Sequence, residues 1–263
     1  MASAPPNQNL PLFYNAIEPL NATQHGSLKI RQVEKSPFIA KTHAIPVTVD
    51  EFGLAQRDYP IVFSIGENPI PIALMGLNEG VNVFLDADGR PVDSTTYIPA
   101  YIRRYPFLLA RLNPQSDELS LCFDPTSEAV GQYDDGQPLF EGEEPSDATK
   151  AILEFCEQFE TAGQRTAAFM EDLKKSGLLM DGEVAIQPEG YSQPFIYRGF
   201  QMVDEEKLRE LRGDELRKMN QNGMLPLIYA HMFSLAQMRD VFARQLAQGK
   251  APQQIAQPAP ADA

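Results

Sequence analysis

The hydrophobic pattern divides the chain into a strand-rich front and a helix-rich back. Between residues 10 and 125, short apolar or alternating runs are separated by turn residues: AIPVTV (44–49), IVFSI (61–65), PIALMGL (71–77) and VNVFLD (81–86). Runs of this length, bounded by turn residues, predict β-strands. Asp88-Gly89, just after the last run, predicts a hairpin turn, because glycine takes positive φ at no steric cost. FLLARL (107–112) and ELSLCFD (118–124), joined by NPQSD, predict an antiparallel pair. VDEFGLAQRDYP predicts one short helix, capped by Asp50 and limited by Pro60.

The pattern changes after an acidic stretch. Residues 124–147, DPTSEAVGQYDDGQPLFEGEEPSD, hold eight acids and no base, and 126–146 read as a surface connector with turns. A helix then starts at Ser146 or Asp147. Its apolar positions Ile152, Phe155, Cys156, Phe159, Phe169, Met170 and Leu173 recur at helical spacing, and Gly177 ends it. FIYRGFQMVD (195–204) predicts a strand that returns to the front sheet. Asp204 caps EEKLRELRG, Asp214 opens ELRKMNQNG, and one last helix is expected over 224–247, with Pro226 tolerated in its first turn. The expected fold is α+β: an N-terminal antiparallel β-sheet region with a C-terminal helical part packed on it. On this reading 10–125 and 147–248 form one compact domain. Residues 1–9 and 249–263, polar and rich in Ala, Pro and Gln, are expected to be a disordered lead and tail.

Charge narrows the partners. The 263 residues carry 36 acids against 22 bases, a formal charge of -14, and no basic run exceeds two residues. A duplex-binding protein needs a basic face to displace counterions, so nucleic acid is not expected. No apolar stretch approaches the ~20 residues that span a bilayer. MASAPPNQNLPLFYNAIEPL lacks the basic and apolar regions of a secretory signal. The expected location is cytoplasmic, with export lacking such a signal left open. Cys122 and Cys156 lie far apart in apolar runs and are expected to be buried thiols.

No catalytic constellation is visible. His25, His43 and His231 are dispersed, the cysteines lack metal spacing, and neither a metal nor a cofactor is expected. DADG (86–89) supplies half of a calcium loop but lacks its remaining oxygens, so it reads as a turn. There is no G-x-S-x-G, P-loop or G-x-G-x-x-G. Paired acids such as Asp134-Asp135 and Glu143-Glu144 read as solvated surface.

What stands out is YIPAYIRRYPFLL (97–109), with two arginines in an aromatic, apolar run. Pro99 and Pro106 bracket a short helical turn, on which adjacent side chains diverge by about 100°. At most one arginine therefore points inward. It could pair with a buried carboxylate such as Asp58 or Asp204, form a site for an anion or a partner, or stay at the surface. The candidate binding residues are Tyr101, Arg103, Arg104, Tyr105, Asp204 and His231.

Several stretches together resemble one family. LPLFYNAIEPLN, AIPVTVDEF, RDYPIVFS, YIPAYIRRYPFLLA, LCFD, PLF, GFQMVDEEKL and NGMLPLIYAHMFSL occur in order over roughly residues 10–240 and are similar to the SapC family of bacterial proteins. The family name implies a surface-layer or export connection. The resemblance also implies partners: TonB-dependent uptake receptors, or oxygenase-like and halogenase-like proteins in a peptide- or protein-modifying complex. It brings no catalytic residues. The leading expectation is a non-enzymatic accessory protein that binds another protein through the aromatic-arginine segment and the C-terminal helices. The alternatives are an enzyme or enzyme subunit with an anion site at Arg103 or Arg104, His231 and Asp204, and an S-layer or export-associated protein.

Overall fold

The computed structural model describes residues 10–33, 38–113, 115 and 117–250. The readings for 1–9 and for most of the tail lie outside these residues. Strands follow in chain order: β1 (Glu18–Pro19), β2 (Lys29–Ile30), β3 (Ala44–Pro46), β4 (Ile61–Ser64), β5 (Pro71–Leu74), β6 (Phe107–Ala110), β7 (Ser120–Phe123), β8 (Val130–Gly131), β9 (Gln137–Pro138), β10 (Phe140–Glu141), β11 (Glu144–Pro145), β12 (Leu179–Asp181), β13 (Val184–Ile186), β14 (Phe195–Tyr197) and β15 (Phe200–Val203). The helices are α1 (Ala22–His25), α2 (Phe52–Ala55), α3 (Ala100–Arg104), α4 (Asp147–Lys175), α5 (Glu205–Glu210), α6 (Gly213–Gln221), α7 (Met224–Ser234) and α8 (Gln237–Ala247). The fold is α+β, as expected.

The main sheet is antiparallel, in the order β12-β15-β4-β5-β3. Both faces are covered, which is why IVF reads as a continuous apolar run and not as an alternation. Ile61 and Phe63 face a core shared with Phe169 and Leu173 of α4, Phe52 and Ile228. Val62 faces a second core with Phe195, Tyr197, Phe200, Met238 and Phe242. As expected, the 195–204 segment returns to the front sheet: Phe200 pairs with Ser64 and Gln201 with Phe63. It is split into two strands, with Gly199 at φ 91 between them.

A smaller sheet, β1-β7-β6, contains the expected 107–124 pair, with Phe107 opposite Phe123. Helix α4 ties the two sheets together. At 1.5 Å per residue its 29 residues span about 44 Å. Cys156 packs on the smaller sheet's core, and Phe169, Met170 and Leu173 pack on the larger one's. Ser146 caps the helix by accepting from Thr149 N–H, and Gly177 follows its end at φ 71.

Several expectations are corrected. VNVFLD is not a strand; only Leu85 bridges to Pro91 across the DADG turn. Its side chains from Asn82 to Leu85 are all buried. The Asn82 amide donates to the Ile39 and Thr42 carbonyls and accepts from Phe84 N–H, while Val83 N–H bonds the Met75 carbonyl and Val92 N–H the Phe84 carbonyl without forming a continuous ladder. Thr48, not Asp50, caps the helical turn after β3, with Glu51 closing a capping box; Asp50 pairs with Arg165 on α4. The 126–146 stretch contributes more than exposed turns: Val130, Leu139 and Phe140 enter the core of the small sheet. The expected last helix is broken between α7 and α8. There Leu235 and Ala236 N–H bond three residues back, to Met232 and Phe233, in tightened turns.

Just before that break, α7 grips the sheet. The register of β15 on β4, continued past Gln201–Phe63, would set Val203 opposite Ile61. His231 of α7 inserts there instead. Its Nδ1–H donates to the Ile61 carbonyl (2.7 Å) and its Nε2 accepts from Val203 N–H (3.1 Å). Ser234 Oγ accepts from Ile61 N–H (2.9 Å) and donates to the His231 carbonyl (2.6 Å). Both side chains are fully buried.

Burial pushes the His231 imidazole down to about 4, below its ordinary value of about 6.5. The unfolded chain therefore takes up this proton first as pH falls. The His231 contribution is complete above about pH 6.5 and declines towards pH 4, by roughly 3 kcal/mol in all. Urea unfolding across this window should show that decline in the parent chain. In His231→Gln the pH slope should be smaller by that amount, on a lower overall stability.

Candidate functional site

The arginine pair sits on α3, a five-residue helix whose apolar face meets β3 and α4. Its first N–H, from Ala100, donates to Glu51 Oε1 at 2.6 Å. Glu51 is 5% exposed and accepts from three further donors: Thr48 N–H, Thr48 Oγ1–H and Tyr97 Oη–H, each at 2.9 Å. A buried carboxylate is stable only when its lone pairs are filled in this way. At the other end of α3, Tyr105 Oη–H reaches the buried Asp124 (3.4 Å), which also accepts from Asn15 N–H, Thr126 N–H and Thr126 Oγ1–H. Neutral donors therefore satisfy both carboxylates flanking the segment.

The two arginines diverge as expected. Arg103 is exposed; its Nε donates to the Ile98 carbonyl (3.0 Å) and its Nη2 to Tyr97 Oη (3.2 Å). It reaches Glu51 only through that phenol, which burial and Glu51 together push up to about 12. Arg104 points inward. Its guanidinium carbon lies 4.4 Å from the Phe159 ring centroid and 4.6 Å from that of Tyr101. Its side chain is 8% exposed, and its nearest carboxylate, Glu160, is 3.7 Å away. Its Nε is buried with no acceptor. Arg104 is thus held mainly by aromatic faces.

Asp58 and Asp204 take no part in pairing the arginines. Asp58 accepts from Tyr97 N–H (3.0 Å). Asp204 caps α5 by accepting from Lys207 N–H (3.1 Å), which holds its carboxyl below the usual range. His231 is occupied at both nitrogens. The named candidates fall into two settings: Tyr101, Arg103, Arg104 and Tyr105 around α3, and Asp204 and His231 where β15, α5 and α7 meet. No hydrogen bond or ion pair among the described residues joins the two. Cys122 and Cys156 are free and buried, and burial pushes the Cys156 thiol up to about 11. Such thiols are poor nucleophiles.

Apolar surface open to solvent occurs at several places among the described residues, including a pocket of about 470 Å³ beside Arg103 and Tyr105; two features stand out. One is a groove of about 650 Å³ between α4 and the Pro69–Pro71 segment, floored by Tyr101 and Phe159 and kept open by Gly163 and Ala167. The other is the outer face of α7. MLPLIYAHMFS is apolar on every side, and a helix of that kind is ordinarily buried all round. Here Phe233 is 68% and Tyr229 40% exposed. Their rings stack at 5.8 Å and 19°. Tyr229 and Phe233 were not among the sequence-derived candidates. The signal was present in LPLIYAHMF, which is too uniformly apolar for a helix with one wet face.

The SapC family matches residues 20–241. The chain belongs to the SapC family. No curated protein and no solved structure is significantly similar to it. The SapC match spans α3, the groove and α7, and so includes both settings of the candidate residues and the exposed aromatic pair. No helix among the described residues is long and apolar enough to cross a membrane.

The surroundings of α3 set the effect of each arginine. Arg103→Ala should cost less than about 1 kcal/mol, as for an exposed charge. Arg104→Lys should cost roughly 2 kcal/mol, because an ammonium cannot lie flat between the rings. Arg104→Met should be milder than Arg104→Lys, since it fills the slot without a buried unpaired donor. Glu51→Ala should be the most damaging, on the order of 3 kcal/mol, because it strands several buried donors. Chemical unfolding of the four variants tests this order.

Proposed function

We propose that this SapC protein is a cytoplasmic, non-enzymatic accessory protein that binds another protein through the outer face of α7. The observation that carries the reading is the exposed Tyr229–Phe233 stack. The inward half of α7 is used by the fold: Ile228 in the core, His231 and Ser234 on Ile61. The outward aromatic rings contact each other and are left to water. Stacked aromatic residues at the centre of a surface patch are favoured binding anchors. The formal charge of -14 favours a partner with basic residues around its own apolar patch, which would speed encounter at low salt. An oxygenase-like or halogenase-like enzyme, or a protein associated with a TonB-dependent receptor, is the kind of partner the family implies.

The test is purification of the tagged protein from its host in three forms: parent, Phe233→Glu, and Val92→Glu as an exposed control. Phe233→Glu should change stability by no more than about 0.5 kcal/mol, as an exposed position does. A stoichiometric protein should co-purify with the parent and the control and be lost with Phe233→Glu. Its recovery in equal amount with Phe233→Glu would refute α7 as the docking face. A bound small molecule without a protein partner would favour the enzyme reading.

A further inference from the structure

The groove of about 650 Å³ beside α4 has an apolar body and one polar end. Phe159, Gly163, Ala167, Met170 and Lys174 recur every three or four residues along one face of the helix. At 1.5 Å per residue, positions 159 to 174 span about 22 Å, which leaves the groove roughly 30 Å² in cross-section. That is less than half the section of a helix about 10 Å across. Pro69, Ile70 and Pro71 form the opposite wall, and Tyr101 closes the Phe159 end, the two ring centroids 6.2 Å apart.

The fold has already used the hydrogen-bonding groups of these walls. Pro69 and Pro71 carry no N–H. Ile70 gives its N–H to Ser64 Oγ and its carbonyl to Ser64 N–H, and the Pro71 carbonyl accepts from Val47 N–H. The hydroxyls of Thr48, Thr166 and Tyr101 donate to Glu51, the Ala162 carbonyl and the Leu12 carbonyl. An extended peptide laid here would find no ladder for its own N–H and C=O groups; a hydrocarbon chain needs none. Gly163 points the same way. Glycine in a helix interior is destabilising relative to alanine, yet an added Cβ at 163 would meet no described atom within 4 Å. At Gly182, by contrast, it would collide with the Phe200 ring. What the glycine in α4 leaves open is the groove. The polar end is built around Lys174. Its ammonium donates to the Glu67 carbonyl (2.7 Å), next to Asn68, and makes no ion pair among the described residues. Glu171, at the same end, is engaged by Lys175. An ammonium at the mouth of an apolar groove, with no carboxylate of its own, matches a ligand with a hydrocarbon tail and one negative head.

We propose that this groove binds a free long-chain carboxylic acid as its anion. The chain lies between α4 and the Pro69–Pro71 wall, with its far end towards Tyr101 and Phe159. The carboxylate accepts from Lys174 Nζ–H. None of the residues lining the groove belongs to α7, so the site is independent of the docking face proposed there.

The test is calorimetric titration of the purified, delipidated chain with sodium dodecanoate, kept below the concentration at which it forms micelles. Dodecanoate should bind saturably, one molecule per chain. Dodecyltrimethylammonium, with the same tail and the opposite head, should bind more weakly. Lys174→Met should weaken dodecanoate about tenfold, the worth of one hydrogen bond between charged groups, and remove the preference over the cation. Gly163→Leu should block binding, while its melting temperature without ligand is unchanged or higher, because a better helix former replaces glycine. Ala167→Leu, at an exposed position on the same face, should block binding as well. Absence of saturable dodecanoate binding, equal affinity for the two amphiphiles, or undiminished affinity in both groove-filling variants would each overturn the proposal.

Discussion

The main sheet depends on an exchange of hydrogen bonds at Ile61. β4 is the middle strand, and at its start the register with β15 gives way to side chains from α7. His231 takes the Ile61 carbonyl and Val203 N–H, while Ser234 takes Ile61 N–H. Only the neutral imidazole with its proton on Nδ1 can serve both strands, since Nε2 must accept. The arrangement also fixes the rotation of α7 about its axis. At 100° per residue, positions 229 and 233 lie about 160° from position 231, on either side. Holding His231 inward therefore drives Tyr229 and Phe233 outward. The exposed aromatic pair follows from the lock on the sheet and cannot be turned in without breaking it.

A second constraint concerns charge. An acidic chain has arginines at hand to neutralise its buried acids. Instead Glu51 and Asp124 are satisfied by backbone N–H groups and hydroxyls, which are closer and carry no desolvation cost of a second ion. Arg103 reaches Glu51 only through Tyr97, and Arg104 is stabilised by Tyr101 and Phe159. The consequence is geometric. Glu51 fixes the N-terminus of α3 against the turn after β3, Tyr105 fixes its far end to Asp124, and Arg104 clamps its inward face to α4. The floor of the groove, Tyr101 and Phe159, is held by the same clamp.

Much of this was legible from local pattern. The α4 stripe, the β6–β7 pair, the DADG turn, the Asp204 cap and the return of 200–203 to the front sheet all rest on periodicity or on turn and cap chemistry within a few residues. What local pattern could not show were bonds between distant residues. Asn82 takes carbonyls some forty positions away, and the backbone of VNVFLD bonds Met75 and Val92 only singly, so the segment carries a strand pattern without a strand. Thr48 displaces Asp50 as the cap because Glu51 completes a box while Asp50 is drawn to Arg165. The last helix ends at Ser234, the residue whose hydroxyl meets Ile61 in a distant strand. For the candidate site, the divergence of Arg103 and Arg104 was readable from helical geometry, but their partners were not. Tyr97, Glu51 and Lys174 carry no signal in sequence, since a tyrosine, a glutamate or a lysine looks the same whether it is paired or not.

Comparing two SapC segments shows where a function can reside. In YIPAYIRRYPFLL the polar side chains are occupied within the chain: Tyr97 on Glu51, Tyr101 on the Leu12 carbonyl, Arg103 on Ile98 and Tyr97, Tyr105 on Asp124. Only Arg104 Nε is left over, and its guanidinium is buried between rings. The requirements of the fold account for nearly all of this segment. NGMLPLIYAHMFSL differs. Its inward residues are explained by the core and by Ile61, but among the described residues no hydrogen bond holds Tyr229 or Phe233, and their rings stack on each other. At exposed helical positions, aromatic rings lower helix propensity and leave apolar surface in water. A fold under no other demand would be better served by a charged residue at either position. That cost is the physical argument behind the docking partner proposed for α7.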